Sequence, residues 1–513
     1  MSGVRRSGLG WAGLAALAGV LQALSVAPTP QPGLQILAWA LWVWSLQGAS
    51  PQQAALRGFS FGWAWLSSSL WWIFISLNSY GHLPAVASAA AVGLLTAFLA
   101  LFPMLAALGY VRSGFSGFAF WALLSELGRA TLLGGFPWAA PGYAHVDGPL
   151  SILAPWIGVH GLGFLAVAWA AFLVAQRKRW RSAAGAVVIG LTLVVALPPT
   201  WTAPITQALS VDFTQPSGTL RVALLQSNVM QDEKFDLDHI DAVLDWHAEQ
   251  LQNIKADLIV TPETAIPLLP QQLPTGWWER LAASFEPSAA GSRHALIGMP
   301  LGNRRQGYSN AVVGLGGGAA AGAYGAYRYD KYHLLPFGEF VPFGFRWFVE
   351  LLQIPLGDFN RGVLAAPSFT VGQERIGPSI CVEDLYGEEM ASRFMAASTA
   401  PTMLASLSNL AWFGPTVALD QHLHIARMRA LEMQRPFLHA TNTGASAFID
   451  HRGVVQQQVP RQTRAVLEGW VQGRTGVTPF ARWAGRWGLI PLGLLAILGL
   501  GFIRLRQRRG AKC

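Results

Sequence analysis

Cysteine is almost absent from this chain: 513 residues carry two, Cys381 and the C-terminal Cys513. Two thiols, one of them at a chain end, cannot build a disulfide framework, so Cys381 is read as a free thiol. Charge is scarce as well, with Asp, Glu, Lys and Arg at 12% of the chain, against roughly one quarter in soluble domains. Set beside 52% hydrophobic residues, that scarcity excludes a wholly soluble protein. The formal net charge is +9, yet the arginines gather at the ends of apolar runs and form no basic domain face. Their excess therefore reports membrane topology and not nucleic-acid binding. Other signatures are missing too. "GLGGGAAAG" at 314 to 322 has no Lys-Ser or Lys-Thr after it and joins two extended segments, which excludes a phosphate loop. His422 and His424, two apart on a helix, point to different faces, and no cysteine or second histidine cluster completes a site. Neither a metal nor a cofactor is expected.

What the chain does have is long apolar runs. Segments long enough to approach the roughly 30 Å of hydrocarbon in a bilayer fall near 8 to 27, 33 to 47, 58 to 78, 84 to 111, 114 to 134, 150 to 175, 183 to 200 and 485 to 503. These predict eight spans, with seven as the alternative because the second run is short. The first follows Arg5 and Arg6 like a signal peptide, but Val26-Ala27-Pro28 makes a poor cleavage site, so it is read as an uncleaved helix. Arg5, Arg6, Arg57, Arg112, the cluster Arg177 to Arg181 and the arginines after 503 all fall on one side of an eight-span layout. The positive-inside rule makes that side cytoplasmic. The expected organisation is a transmembrane domain over 1 to 205, an extramembrane domain over 217 to 475 on the outer side, a last span over 484 to 505 and a basic cytoplasmic tail over 506 to 513. Both termini are then cytoplasmic. Within the fifth run Glu126 and Arg129 stand three apart before "GGFPWAAPGY" and are read as a structural pair. Trp63, Trp65, Trp71 and Trp72 are read as packing and interfacial anchors.

From Leu220 onward, short β-rich runs alternate with amphipathic helices. "LRVALLQSN" and "DLIVTPET" read as strands, with further strands at 294 to 300, 308 to 315, 376 to 382 and 402 to 408. Leu237, Ile240, Val243, Leu244, Leu251 and Ile254 mark one helical face, and a long helix is expected near 420 to 434. Continuous apolar strands of this kind suggest an α/β or layered α+β domain. Three residues in it bear chemistry. Glu263 follows an apolar strand between Pro262 and Thr264, where partial desolvation suits a base. Lys331 sits in "YRYDKYHLLPFGEFVP", and Cys381 ends "GPSIC". A thiol is mostly protonated at neutral pH and needs a base to become an efficient nucleophile. Glu263 can take its proton, and Lys331 can stabilise the oxyanion that attack on a carbonyl creates.

The segments "TPETAIP", "YDKYHLLPFGEFVP" and "GPSICVEDLYGE" resemble the Glu-Lys-Cys regions of the nitrilase, or carbon–nitrogen hydrolase, superfamily. With seven spans before them and one after, together with "GFPW", "SNLAWFG" and "QHLHIARMRALEMQRP", they resemble its membrane-embedded branch, the apolipoprotein N-acyltransferase family. The resemblance implies an α-helical membrane bundle of about eight helices with an extramembrane α-β-β-α sandwich. It also implies Glu263 as base, Lys331 as oxyanion stabiliser and Cys381 as nucleophile, with Glu339, Glu383, Val382, Phe235 and Asn310 as supporting positions. Val382, Phe235 and Leu410 stand where such enzymes usually carry Tyr, Trp and Asp. The implied reaction moves an acyl chain from the sn-1 position of a phospholipid through a Cys381 thioester to the α-amine of a diacylglyceryl-cysteine lipoprotein. That is the last step of lipoprotein maturation, in the bacterial inner membrane, by a monomer whose partners are its lipid and lipoprotein substrates. Leu334, Leu335, Phe337, Phe340, Phe343, Phe345 and Trp347 either line an acyl entrance or bury against helices. Two rivals stay open at this level: a tethered amidase or nitrilase whose thioester goes to water, and a non-enzymatic scaffold or transporter.

Overall fold

The computed structural model describes residues 8–177, 199–234, 236–286, 292–316, 327–341 and 358–510, with single positions between 190 and 197 and at 344 and 346. The chain divides into two compact units. One comprises Met1–Asn78, His82–Val211 and Trp487–Cys513, and the other Ser79–Gly81 and Asp212–Arg486.

The first unit is helical. Among the described residues, three of its helical stretches are long and apolar enough to cross a membrane: Ala85–Gly134, Pro149–Gln176 and Ile490–Arg509. Leu9–Leu24 is a shorter apolar helix. The runs expected at 84 to 111 and 114 to 134 are two helical segments within Ala85–Thr131, broken at Gly114, whose φ of 64° and ψ of -158° are not helical. A glycine takes that left-handed conformation without a side-chain clash. The run at 33 to 47 forms Pro32–Ser45, 14 residues long and short of the ~20 that a span requires. The run at 183 to 200 lies mostly outside the described residues. Pro51–Leu70 starts on a capping box, with Ser50 Oγ accepting from Gln53 N and Gln53 Oε1 accepting from Ser50 N. Of the four tryptophans singled out above, Trp65 and Trp72 are buried in this unit while Trp63 and Trp71 are exposed.

Glu126 and Arg129 form a buried bidentate pair, with Nη2 to Oε1 at 2.7 Å and Nε to Oε2 at 3.1 Å. Arg129 Nη1 also donates to the carbonyls of Phe136 and Trp138, at 2.5 and 2.8 Å. Those carbonyls lie just past the helix end, where backbone groups lack intrahelical partners. The pair thus ties the "GFPW" turn to the helix before it.

The second unit holds two six-stranded sheets. One has the order β12-β1-β2-β3-β4-β5, formed by β1 (Thr214–Gln226), β2 (Leu258–Val260), β3 (His294–Asn303), β4 (Gly307–Leu315), β5 (Tyr327–Asp330) and β12 (Ala465–Gly476). The other has the order β11-β10-β9-β8-β7-β6, formed by β6 (Phe369–Val371), β7 (Glu374–Ile380), β8 (Met403–Ser408), β9 (Phe437–Thr441), β10 (Ala447–Ile449) and β11 (Val455–Gln458). Both repeat one pairing pattern: an antiparallel edge, two parallel pairs, then two antiparallel pairs. The parallel strands β2 and β8 are buried along their whole length, as strands covered on both faces must be.

Alternate residues of the first sheet, among them Ala223, Leu225, Ile259, Ile297 and Val313, pack under the helices Leu237–Asn253 and Trp277–Ala283. On the second sheet Leu404, Phe437, Ala447 and Ile449 pack under Ala418–Met433, together with Pro479–Trp487. The remaining faces meet each other. A Cβ at Gly314 would touch the Phe369 ring, and one at Gly469 would touch Phe448. The layers therefore run helix, sheet, sheet, helix, and the loops after β2, β5 and β7 carry Glu263, Lys331 and Cys381.

Candidate active site

Each of the three residues stands just past the end of a strand. Cys381 opens a 3-10 turn, Cys381–Leu385, immediately after β7, with φ at 54°. A left-handed non-glycine residue stores local strain and persists only where its surroundings hold it. Several bonds do so here. Ile380 N donates to Glu383 Oε2 at 2.7 Å, Ser379 Oγ to Asp384 Oδ1 at 2.6 Å, and His422 Nε2 lies 3.3 Å from the Cys381 carbonyl oxygen. Glu263 stands three residues past β2, beside Thr264 with φ of 49°. Gly298 on β3 lets the backbone come this close, since a Cβ there would lie 2.4 Å from the Pro262 carbonyl oxygen and 2.8 Å from Thr264 N. Lys331 follows β5 directly, its N–H donating to Asn310 O at 2.9 Å.

The side chains converge in a buried polar cluster. Lys331 Nζ donates to Glu339 Oε1 at 2.9 Å and lies 3.5 Å from Glu263 Oε1. Asn310 Nδ2 bridges the two carboxylates, at 2.7 Å from Glu263 Oε1 and 2.9 Å from Glu339 Oε1. The second oxygen of Glu263 accepts from Asn409 N at 2.9 Å, and that of Glu339 from Leu335 N at 2.8 Å. Glu263, Lys331, Glu339, Asn310 and Cys381 are all at most 9% exposed. Glu383 joins the two sheets at this point. It accepts from Tyr329 Oη at 2.7 and 2.8 Å, from Tyr332 N at 2.8 Å and from His333 N at 3.2 Å, in addition to Ile380 N. Arg393 backs it, donating to Tyr329 Oη at 2.7 Å and to the Pro378 carbonyl.

Burial sets the electrostatics. It pushes the Cys381 thiol well above its ordinary value, as do Glu263, Glu339 and Asp384, while Lys331 opposes them. Burial alone would lower the Lys331 ammonium, but Glu339, Glu263 and Cys381 outweigh it and hold Lys331 above its usual range. The resting site is therefore a neutral thiol beside a lysine that stays charged. A thiol in that state reacts by losing its proton as it attacks.

The structure thus gathers Glu263, Lys331, Cys381, Glu339, Glu383 and Asn310. Val382 and Leu410 are buried in the protein. Phe235, Phe343, Phe345 and Trp347 lie outside the described residues. Of the loop apolar residues, Leu334 is buried, whereas Phe337 is 39% exposed with φ of 61°. His422 finds partners that its sequence spacing did not suggest. Its ring stacks on His439, with Asp384 Oδ2 3.8 Å from its Nε2, and the three residues offer ligand-capable atoms within 4.8 Å of one another. Burial lowers both imidazoles, so they rest neutral under the Cys381 turn.

Sequence reasoning missed four contributors: Tyr329, Arg393, Asn409 and Lys234. The first three are ordinary residues of a strand, a helix and a turn, distinguished only by the folded contacts. Lys234 directly precedes Phe235, in "QDEKFD", whose polar composition gives no sign of burial. Its Nζ is buried and donates to the Glu263 carbonyl at 2.9 Å.

Comparison with known proteins bears on this site directly. Residues 18–172 match the apolipoprotein N-acyltransferase N-terminal domain, and residues 221–479 match the carbon–nitrogen hydrolase family. An apolipoprotein N-acyltransferase of Verminephrobacter eiseniae is 45% identical, over 93% of this chain and 92% of its own. One of Ralstonia nicotianae is 42% identical, over 97% and 94%. The chain belongs to the apolipoprotein N-acyltransferase family. Its Glu263, Lys331 and Cys381 fall within the carbon–nitrogen hydrolase match, and the match to the family's N-terminal domain runs from within the helix Gly8–Leu24 to Phe172.

Proposed function

We propose that the protein N-acylates lipoproteins by a ping-pong reaction through a Cys381 thioester, with Glu263 as base and Lys331 as oxyanion stabiliser. The observation that carries this reading is the Lys331 ammonium held between Glu263 and Glu339 beside a buried neutral thiol. In the first half-reaction Glu263 takes the thiol proton as sulfur attacks the sn-1 ester carbonyl of a phospholipid. The negative oxygen of the tetrahedral adduct is stabilised by Lys331. The ester C–O bond then breaks, and Glu263 returns the proton to the leaving alkoxide, which departs as lysophospholipid. In the second half-reaction the α-amine of a diacylglyceryl-cysteine attacks the thioester. Glu263 removes a proton from the attacking nitrogen, the C–S bond breaks, and the proton passes to the departing thiolate to leave an amide.

A tethered hydrolase would carry the same thioester to water, so the test lies in the fate of the acyl group. Given labelled phospholipid and no acceptor, the purified protein is expected to accumulate a hydroxylamine-sensitive acyl group on Cys381. A diacylglyceryl-cysteine peptide should discharge it as an amide, and the same peptide with a blocked N-terminus should not. Rapid appearance of free fatty acid whatever the acceptor would favour the hydrolase.

The proposed setting is the bacterial inner membrane, with eight spans, a catalytic domain over 217 to 475 facing outward and both termini cytoplasmic. The distribution of arginines between apolar runs supports it. A membrane-impermeant thiol reagent applied to intact cells is expected to leave Cys513 unlabelled in a Cys381→Ala background. Labelling of Cys513 would overturn the orientation.

A further inference from the structure

Within the contact cluster of Glu263, Glu339 and Lys331 the buried charges do not balance. Glu263 and Glu339 bring two carboxylates, and Lys331 brings one ammonium. Glu383 has its own partner in the Arg393–Tyr329 arm. A net negative charge in a water-poor cluster is costly. The reaction keeps that excess and moves it, first to the Cys381 sulfur and then to the acyl oxygen, as the thiol proton passes to Glu263.

Lys234 supplies the missing charge. It lies in the turn between β1 and the helix Leu237–Asn253, with only 3% of its surface exposed. Its Nζ donates to the carbonyl oxygen of Glu263 at 2.9 Å. The same turn is fastened to the far side of the site. Gln231 Oε1 accepts from Asn409 Nδ2 at 2.8 Å, while Asn409 N holds Glu263 Oε2 at 2.9 Å. We propose that Lys234 is a positioning residue of this site: a second ammonium that acts through Glu263 and offsets the buried carboxylates, so that negative charge can form on the Cys381 sulfur and then on the acyl oxygen. With it that contact cluster counts two carboxylates and two ammoniums, while Asp384 lies apart from it beside His422. The balance holds after the thiol proton moves to Glu263, because one anionic group is replaced by another.

The groups facing Lys234 fix the pH dependence. Asp232, exposed, and Glu233 lie beside it in its own turn. Glu263 and Cys381 face it from the loops after β2 and β7, and His247 from the helix Leu237–Asn253. His247 is buried and lowered to about 4, so it stays neutral through the assay range. Burial lowers Lys234 from 10.5 to about 8, with Glu263 and Cys381 opposing the shift. The ammonium is therefore present below about pH 8 and lost above it, and its support for charge on sulfur is lost in the same direction.

The inference rests on the proposed chemistry at Cys381, but alkylation of that thiol by iodoacetamide needs no lipid and tests it separately. The full chain in a Cys513→Ser background is alkylated at pH 7.5. Lys234→Gln keeps an amide donor for the Glu263 carbonyl and removes the charge, Lys234→Met removes both, and Lys234→Arg keeps the charge. Lys234→Gln and Lys234→Met are expected to react about tenfold more slowly or worse, the change that one unit in an ionisation constant produces. Lys234→Arg should recover most of the rate. A Lys234→Gln thiol as reactive as wild type would overturn the proposal. Should the uncharged variants fail to fold, the wild-type profile decides. Its alkylation rate is expected to break from its rise with pH near 8, and a rise straight through that region overturns the proposal. A protein that releases no lysophospholipid yet shows these alkylation differences would contradict the acyl transfer and leave the role of Lys234 standing.

Discussion

Cys381→Ala is expected to abolish N-acylation of a diacylglyceryl-cysteine peptide, a loss on the order of 10⁶-fold if only uncatalysed transfer remains. Glu263→Gln should lower the rate by on the order of 10²- to 10⁴-fold, the usual worth of a positioned general base. Lys331→Ala should lose on the order of 10²- to 10³-fold through the oxyanion. The geometry argues that these losses do not multiply. Glu263 Oε1 and Lys331 Nζ are 3.5 Å apart and share Asn310 and Glu339 as neighbours, so removing either misplaces the other. The Glu263→Gln, Lys331→Ala double variant is therefore expected to be little worse than the poorer single one. Steady-state rates of purified variants, each checked by thermal unfolding, measure this. Cys513→Ser is expected to leave the rate intact. Independent, multiplying losses would mean that the two residues do not serve one centre.

Glu263 and Cys381 were legible because each follows a run that reads as a buried strand, whereas Lys331 stands out in an aromatic- and proline-rich stretch that does not read as a strand. "LIV" and "RIGPSI" end where polar side chains begin, and the fold turns those ends toward the end of β5. The strands β5, β6, β9, β10, β11 and β12 were not visible. β11 and β12 are mostly polar or half-exposed, and β6 and β10 are three residues each, too short for period-two alternation to register. Lys234 hides in "QDEKFD", whose composition is that of a solvated turn. Only the packing of that turn over Glu263 buries it. Tyr329 and Arg393 are separated by 64 residues, and no local spacing links them. In the first unit the boundary that the sequence pattern draws near residue 112 coincides with the non-helical Gly114, where two helical segments of Ala85–Thr131 meet.

Glu383 carries the largest expected effect on stability. Its carboxylate is 7% exposed and receives three main-chain N–H groups, from Tyr332, His333 and Ile380, as well as the Tyr329 hydroxyl. Glu383→Leu would leave those donors unmet and strand the Arg393 guanidinium, which burial would disfavour without Glu383 and Tyr329 beside it. Breaking one side of such an arrangement costs about 3–5 kcal/mol. At ~2–4 °C per kcal/mol for a domain of this size, the melting temperature should fall by on the order of 10 °C. Activity should fall with it, because Tyr332 and His333 continue directly from Lys331 and Ile380 directly precedes Cys381. The informative comparison is the double variant Glu383→Leu, Arg393→Leu. Removing both charges eliminates the stranded guanidinium, so the double variant is expected to melt above Glu383→Leu alone, even though it lacks more of the native contacts. Thermal unfolding of the three proteins in one detergent tests the sign. A double variant that melts below both single variants would mean that Arg393 stabilises the fold through its bonds to Tyr329 and the Pro378 carbonyl, independently of the Glu383 charge.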